Sequence, residues 1–161
     1  MTPPLMHGAL PAPTAPVGPG PMVDLRPMDR CVAAWRRAVH GDRVMLEHLL
    51  ADDAVLHSPV TGHPLAGKPS VLTYLASTSR ALADAASPSD AVAGDGWDGR
   101  FRYLREVVGA HDAVLEFETT VAGARVNGID MLRCDDAGRI IDVTVMVRPL
   151  AAIGAVRHAV R

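Results

Sequence analysis

The chain has 161 residues, and 8 of its 13 prolines fall before residue 28. Setting residues 1–27 aside leaves about 134, enough for one domain of ordinary size and not for two. Sixteen basic and eighteen acidic residues give a formal charge of −2, and no Lys/Arg block exceeds a pair, which argues against a nucleic-acid or polyanion binder. Hydrophobic residues make up 48% but aromatics only 4%, so the core must be built from Val, Leu, Ile, Ala and Met. No apolar run approaches the roughly 18–20 residues that span a bilayer, so a soluble protein without a membrane partner is expected.

Residues 1–27 read as a flexible, Pro-rich arm ahead of a single domain over 28–161. Pro3, Pro4, Pro11, Pro13 and Pro16 break up any apolar signal-peptide core. Cys31 and Cys134 are too few and too far apart in sequence for a disulfide framework or a zinc cluster. Reduced thiols and a cytoplasmic location are the expectation.

After Pro27 the residues Met28, Cys31, Val32, Trp35, Ala38 and Val39 recur at helical spacing. Gly41 stops that helix, and Asp42 caps a second one carrying Met45, Leu46, Leu49 and Leu50. Asp52-Asp53 then gives way to a short strand, Ala54 to His57, ended by Ser58-Pro59. Pro69 suits the first turn of a third helix through about Leu82, and Asp84–Gly99 is loop by composition. Four strands follow, Phe101–Val108, Ala113–Val121, Arg125–Cys134 and Arg139–Val147, separated by Gly109, Gly123 and Asp135-Asp136-Ala137-Gly138. Pro149 closes the last strand, and a terminal helix or an extended tail remains. The fold class is α+β, with three helices covering one face of a curved antiparallel sheet.

Period two assigns the strand faces. Leu115, Phe117, Thr119 and Val121 point one way, and Glu116 and Glu118 the other. Ile141, Val143, Val145 and Val147 share a face, opposed by Asp142, Thr144 and Met146. In the strand between, Val126, Gly128, Asp130 and Leu132 lie together. Asp130 is therefore a carboxyl on the apolar face, where it must be paired, hydrogen-bonded or protonated.

The run Ala51-Asp52-Asp53-Ala54-Val55-Leu56-His57-Ser58-Pro59-Val60 after two helices, with Gly128-Ile129-Asp130-Met131-Leu132-Arg133 and Asp136-Ala137-Gly138-Arg139-Ile140-Ile141, resembles the nuclear-transport-factor-2-like (NTF2-like) superfamily. The nearest flavours are SnoaL-like polyketide cyclases and ketosteroid isomerases, and the likeness covers about residues 28–150. It implies a cone-shaped α+β fold around an apolar pocket, with no cofactor and no metal, and a homodimer through the outer sheet face. It also implies roles. The isomerases' neutral oxyanion-hole aspartic acid falls on Asp130. Their general-base aspartate falls on Ser58, and their oxyanion-hole tyrosine at or near Ala34, so steroid isomerisation by that mechanism is disfavoured. A limonene-type epoxide hydrolase would need an aspartate where Val145 stands. Polyketide cyclases ask only for one proton acceptor and a pocket.

The candidate proton-transfer groups are Asp130, His63, His57 and Ser58, the two histidines because an imidazole suits proton transfer near neutral pH. Trp35, Tyr74, Leu115, Phe117, Val126, Leu132, Val143, Val145 and Val147 are the candidate substrate-binding wall. A Tyr74 hydroxyl is expected on a substrate oxygen or on Asp130, and an arginine of the first long strand is the alternative partner for Asp130. The expected ligand is a small, mostly apolar, oxygen-bearing molecule of polyketide, terpenoid or steroid type. The activity is a cyclase or isomerase step by proton transfer next to a carbonyl, or else non-catalytic ligand binding by an accessory dimer.

Overall fold

The computed structural model describes residues 26–84 and 98–159; the Pro-rich stretch before Arg26 and most of the Asp84–Gly99 loop lie outside them. Helix α1 spans Pro27–Val39, with Pro27 at its first position and Arg26 and Asp29 forming a reciprocal cap. Its buried stripe is Met28, Cys31, Val32, Trp35 and Ala38, the i, i+3, i+4, i+7 spacing of one helix face. Gly41 turns the chain at φ +100°, and the Asp42 carboxylate accepts the Met45 N–H at 2.9 Å to start α2, Arg43–Leu49. Strand β1, Leu50–His57, follows directly, then the short β2, Leu65–Ala66, and α3, Lys68–Asp84.

Strands β3 (Arg102–Val108), β4 (Asp112–Val121), β5 (Ala124–Cys134) and β6 (Ile140–Arg148) form an antiparallel meander. The β4–β5 hairpin closes through Ala122 and Gly123, both at positive φ, as a two-residue loop matched to strand twist requires. A last helix, α4 (Ala152–Ala159), packs back on the sheet, with Ala152 fully buried beside Phe117, Val121 and Val126.

The six strands make one curved, unclosed sheet in the order β2-β1-β6-β5-β4-β3. It departs from the expected antiparallel pattern at one place. β1 runs parallel to β6, pairing Leu56 with Val143 and His57 with Thr144, because β6 lies with its free edge toward β1 after three reversals of the meander. β1 also begins earlier than its apolar stretch suggests: Asp52 and Asp53 are exposed within the strand, while Leu50, Ala54 and Leu56 are fully buried.

The main core joins the α1 stripe to Leu46, Leu50, Leu56, Val71, Leu115, Leu132, Ile140 and Val143. Cys31 and Cys134, distant in sequence, are both buried there with free thiols. Burial, with Cys134 alongside, pushes the Cys31 thiol up to about 12. On the outer sheet face Glu118 is buried between Arg102 and Arg125, and Val107, Val114, Met131 and Met146 are exposed. Among the described residues, no helix is long and apolar enough to cross a membrane.

Candidate functional site

Between the helices and the inner face of the sheet lies a cavity of about 80 Å³. Its wall is built by Trp35, Ala38 and Val39 from α1, Tyr74, Leu75, Thr78 and Ser79 from α3, and Val156 from α4. The strands contribute Phe117, Thr119, Val121, Val126, Asp130, Val145 and Val147, all at the inward positions of the period-two reading. Phe101 stacks on Phe117, with ring centres 5.3 Å apart, and meets the edge of Tyr103 at 5.0 Å.

Gly128 makes that aromatic wall possible. A Cβ on Gly128 would stand 2.4 Å from Phe117 Cζ and 2.7 Å from the Met146 carbonyl oxygen, so neither the ring nor the neighbouring strand leaves room for it. Gly128→Ala is accordingly expected to destabilise the fold by roughly 1–3 kcal/mol, read as a lower urea midpoint at unchanged slope.

Among the described residues Asp130 is the one carboxyl group in the cavity wall, and it is only 6% exposed. Trp35 Nε1–H is shared between the Tyr103 hydroxyl oxygen (2.9 Å) and Asp130 Oδ2 (3.4 Å), and Tyr103 O–H donates to the same Oδ2 at 3.3 Å. Burial raises the pKa of Asp130 to about 7, and these two hydrogen bonds work against it by favouring the charged form. Tyr103 is held far above the usual phenol range by burial first and by the neighbouring Asp130 charge second. It therefore remains a donor throughout the physiological range.

The geometry also places the proton. Oδ2 receives both donors, whereas Oδ1 receives none among the described residues. When Asp130 is protonated, Oδ2 stays the acceptor for Trp35 and Tyr103, and the acid proton belongs on Oδ1. A neutral carboxyl in this cavity is thus a hydrogen-bond donor, and its anion is a base.

At the other side of β6, the Tyr74 hydroxyl lies 2.5 Å from Ser58 Oγ, which also accepts the Val60 N–H at 3.2 Å. Tyr74 touches the cavity; Ser58 stands behind it, half-buried and outside the lining. Burial raises the Tyr74 pKa, with the Ser58 and Thr78 hydroxyls opposing.

Several expected site residues stand elsewhere. His57 is exposed and meets Asp142 at 3.2 Å, because alternation along β1 turns it away from the buried Leu56; His63 is exposed in the connection to β2. Neither lines the cavity. Leu115, Leu132 and Val143 face inward but are sealed in the main core. Trp35, Tyr74, Phe117, Val126, Val145 and Val147 do line it. Tyr74 bonds to Ser58 and not to Asp130, and Arg102 and Arg105 pair with Glu118 and Glu116 on the outer face.

Tyr103 was missed by the sequence reading. The charged run around it reads as a solvated strand, but a register shift between Tyr103 and Arg105 interrupts the alternation, so Phe101 and Tyr103 turn inward while Arg102 and Arg105 face out. The signal was the Phe101, Tyr103 pair at spacing two. Among the described residues, no group of three His, Cys, Asp or Glu side chains is arranged to hold a metal ion.

Helices folded against a curved sheet around an apolar cavity define the cone-shaped α+β class. Solved structures place the chain within it. A steroid delta-isomerase from Pseudomonas aeruginosa superposes with a TM-score of 0.68 at 31% sequence identity, covering 83% of this chain and 88% of that one. An uncharacterized bacterial protein with a cystatin-like fold from Silicibacter pomeroyi superposes with a TM-score of 0.67 at 25% identity, covering 83% and 84%. An NTF2-like protein of unknown function from Mesorhizobium loti, at 20% identity with a TM-score of 0.56 over 76% and 93%, shares the fold. No protein-family model and no curated protein sequence matches the chain. The chain belongs to the NTF2-like superfamily, with ketosteroid-isomerase-like proteins among its structural relatives.

Proposed function

We propose that the protein is a cofactor-independent isomerase or cyclase of the SnoaL-like kind, moving a proton next to the carbonyl of a compact, mostly apolar substrate of polyketide, terpenoid or steroid type. The observation that carries this reading is Asp130: a single carboxyl in an apolar wall, with a pKa of about 7 and both protein donors on Oδ2. At neutral pH such a group is present in both protonation states. Its anion can take the proton from a carbon acid, and the acid so formed can return it to another carbon or to an oxygen through Oδ1. The likeness to a protein named a steroid delta-isomerase supports chemistry of this class, although the sequence resemblance puts Ser58 at the position of the isomerases' base.

One observation favours a second reading. No other carboxyl and no imidazole lines the cavity among the described residues, as expected of a protein that binds an apolar ligand without transforming it. The exposed Val107, Val114, Met131 and Met146 suit a homodimer through the outer sheet face, and the free, buried Cys31 and Cys134 suit the cytoplasm.

Deuterium exchange separates the two readings. Wild-type protein incubated in D₂O with enolisable cyclic ketones such as 2-decalone is expected to wash deuterium into the α-position faster than buffer does, followed by proton NMR. Asp130→Asn is expected to bring the rate back to the buffer value. Binding of the ketone with no exchange above buffer would establish the binder instead.

A further inference from the structure

A hydroxyl stands without a partner in an apolar stretch of the cavity wall. Thr119 lies on the inward face of β4 between Phe117 and Val121, is 1% exposed and lines the cavity. Its surroundings are hydrocarbon. Val126 faces it across the β4–β5 ladder, and Val121, Val126 and Ala152 form a cluster with Phe117 against which Val147 and Val156 pack. Elsewhere in the wall Trp35 and Asp130 bond to Tyr103 and to each other, Tyr74 bonds to Ser58, and Thr78 bonds to the Tyr74 carbonyl. The Thr119 hydroxyl forms no hydrogen bond among the described residues.

Packing does not call for that hydroxyl. Valine has the same branched shape, suits a strand equally well and fills the neighbouring inward positions. An unpaired hydroxyl in a dry wall costs stability, and a group of this kind demands a partner from outside the fold. Asp130 does not supply one. It pairs with Leu115, which lies four residues and about 13 Å along β4 from Thr119, with Phe117 between them.

We propose that Thr119 is a specificity-determining residue of the cavity, its hydroxyl hydrogen-bonding a hydroxyl group of the bound guest in the space bounded by Val121, Val126 and Val156. This rests on the cavity being the site of a small-molecule guest and on no chemistry at Asp130, so it holds equally for a guest that is transformed and for one that is only held. The competing occupant is a trapped water, which would satisfy the hydroxyl without selecting any guest.

The test uses the full chain with phenol and toluene, two probes of one shape that differ in the hydroxyl, and takes affinities from NMR titration of the valine methyl groups. Thr119→Val is expected to lower the affinity for phenol relative to toluene roughly threefold to tenfold, the worth of one hydrogen bond, while toluene binds as it does to wild type. Thr119→Ser should keep the wild-type ratio, and so should Asp130→Asn. Without a probe, Thr119→Val should raise the urea midpoint, because it removes an unpaired hydroxyl. A ratio unchanged in Thr119→Val, a ratio lowered as much in Thr119→Ser, or a lowered urea midpoint in Thr119→Val overturns the inference alone, and the hydroxyl then serves a trapped water or the fold. If neither probe shifts the methyl groups of Val121, Val126 and Val156 in wild type, the reading of the cavity as a guest site falls, and this inference falls with it.

Discussion

Asp130→Asn is expected to make the protein more stable at pH 8 than wild type and to abolish the proposed proton transfer. The folded-state pKa of Asp130, about 7, lies above the value near 3.8 that the group has when solvated. The folded chain thus binds the extra proton between about pH 4 and pH 7, and stability from this group is full below about pH 4. It declines as pH rises through that window and stays low above about pH 7. Three pH units of such linkage correspond to about 4 kcal/mol, the cost of holding the charge in a dry wall. An asparagine keeps the shape and the acceptor for Trp35 and Tyr103 but never carries that charge. Urea midpoints compared at pH 5 and pH 8 should show the variant gaining on wild type by a few kcal/mol as pH rises. Equal gaps at both pH values would place a charged, stabilised carboxylate at Asp130 and overturn the assignment.

Trp35→Ala is expected to cost about 3–5 kcal/mol, a large part of the 5–15 kcal/mol that holds an ordinary domain together. Trp35 is the largest fully buried side chain among the described residues, and it both closes the cavity wall and supplies the N–H shared by Tyr103 and Asp130. Trp35→Phe separates the two contributions. It keeps most of the ring volume and removes the donor, so the stability loss should be smaller while the Asp130 pKa moves above about 7, the Trp35 hydrogen bond being one of the two that lower it. A carboxyl-carbon NMR titration of Asp130 in wild type and Trp35→Phe checks the direction. An unchanged or lower pKa in the variant would show that the indole does not act on the carboxyl.

Much of this architecture was legible because the strands obey period two. The inward positions of β4, β5 and β6 could be read directly, and they put Asp130 on the apolar face before any contact was known. What could not be read depends on pairing between distant segments. The parallel seating of β1 on β6 has no local signature, and it is this seating that sets Leu56 beside Val143 and His57 beside Thr144. The inward turn of Tyr103 was hidden because the register shift near Leu104 breaks the alternation where arginines flank it. His57 shows the same period from the other side: its chemistry made it a candidate, and its place in β1 turns it away from the buried Leu56. The hydroxyl pair of Ser58 and Tyr74 joins a strand end to a helix face, a meeting decided by how α3 packs on β1.

The cavity wall draws on the first and the last described helices alike, with Trp35 from α1 and Val156 from α4. α4 carries none of the hydrogen-bonded groups around Asp130, yet Ala152 and Val156 close the side of the wall formed by Phe117, Val121 and Val126. A guest molecule can gain the Val156 contact only while α4 is docked, so occupancy and docking are two faces of one equilibrium. Each guest strengthens the hold of the final helix, and a looser final helix weakens the hold on every guest, whatever its chemistry at Asp130.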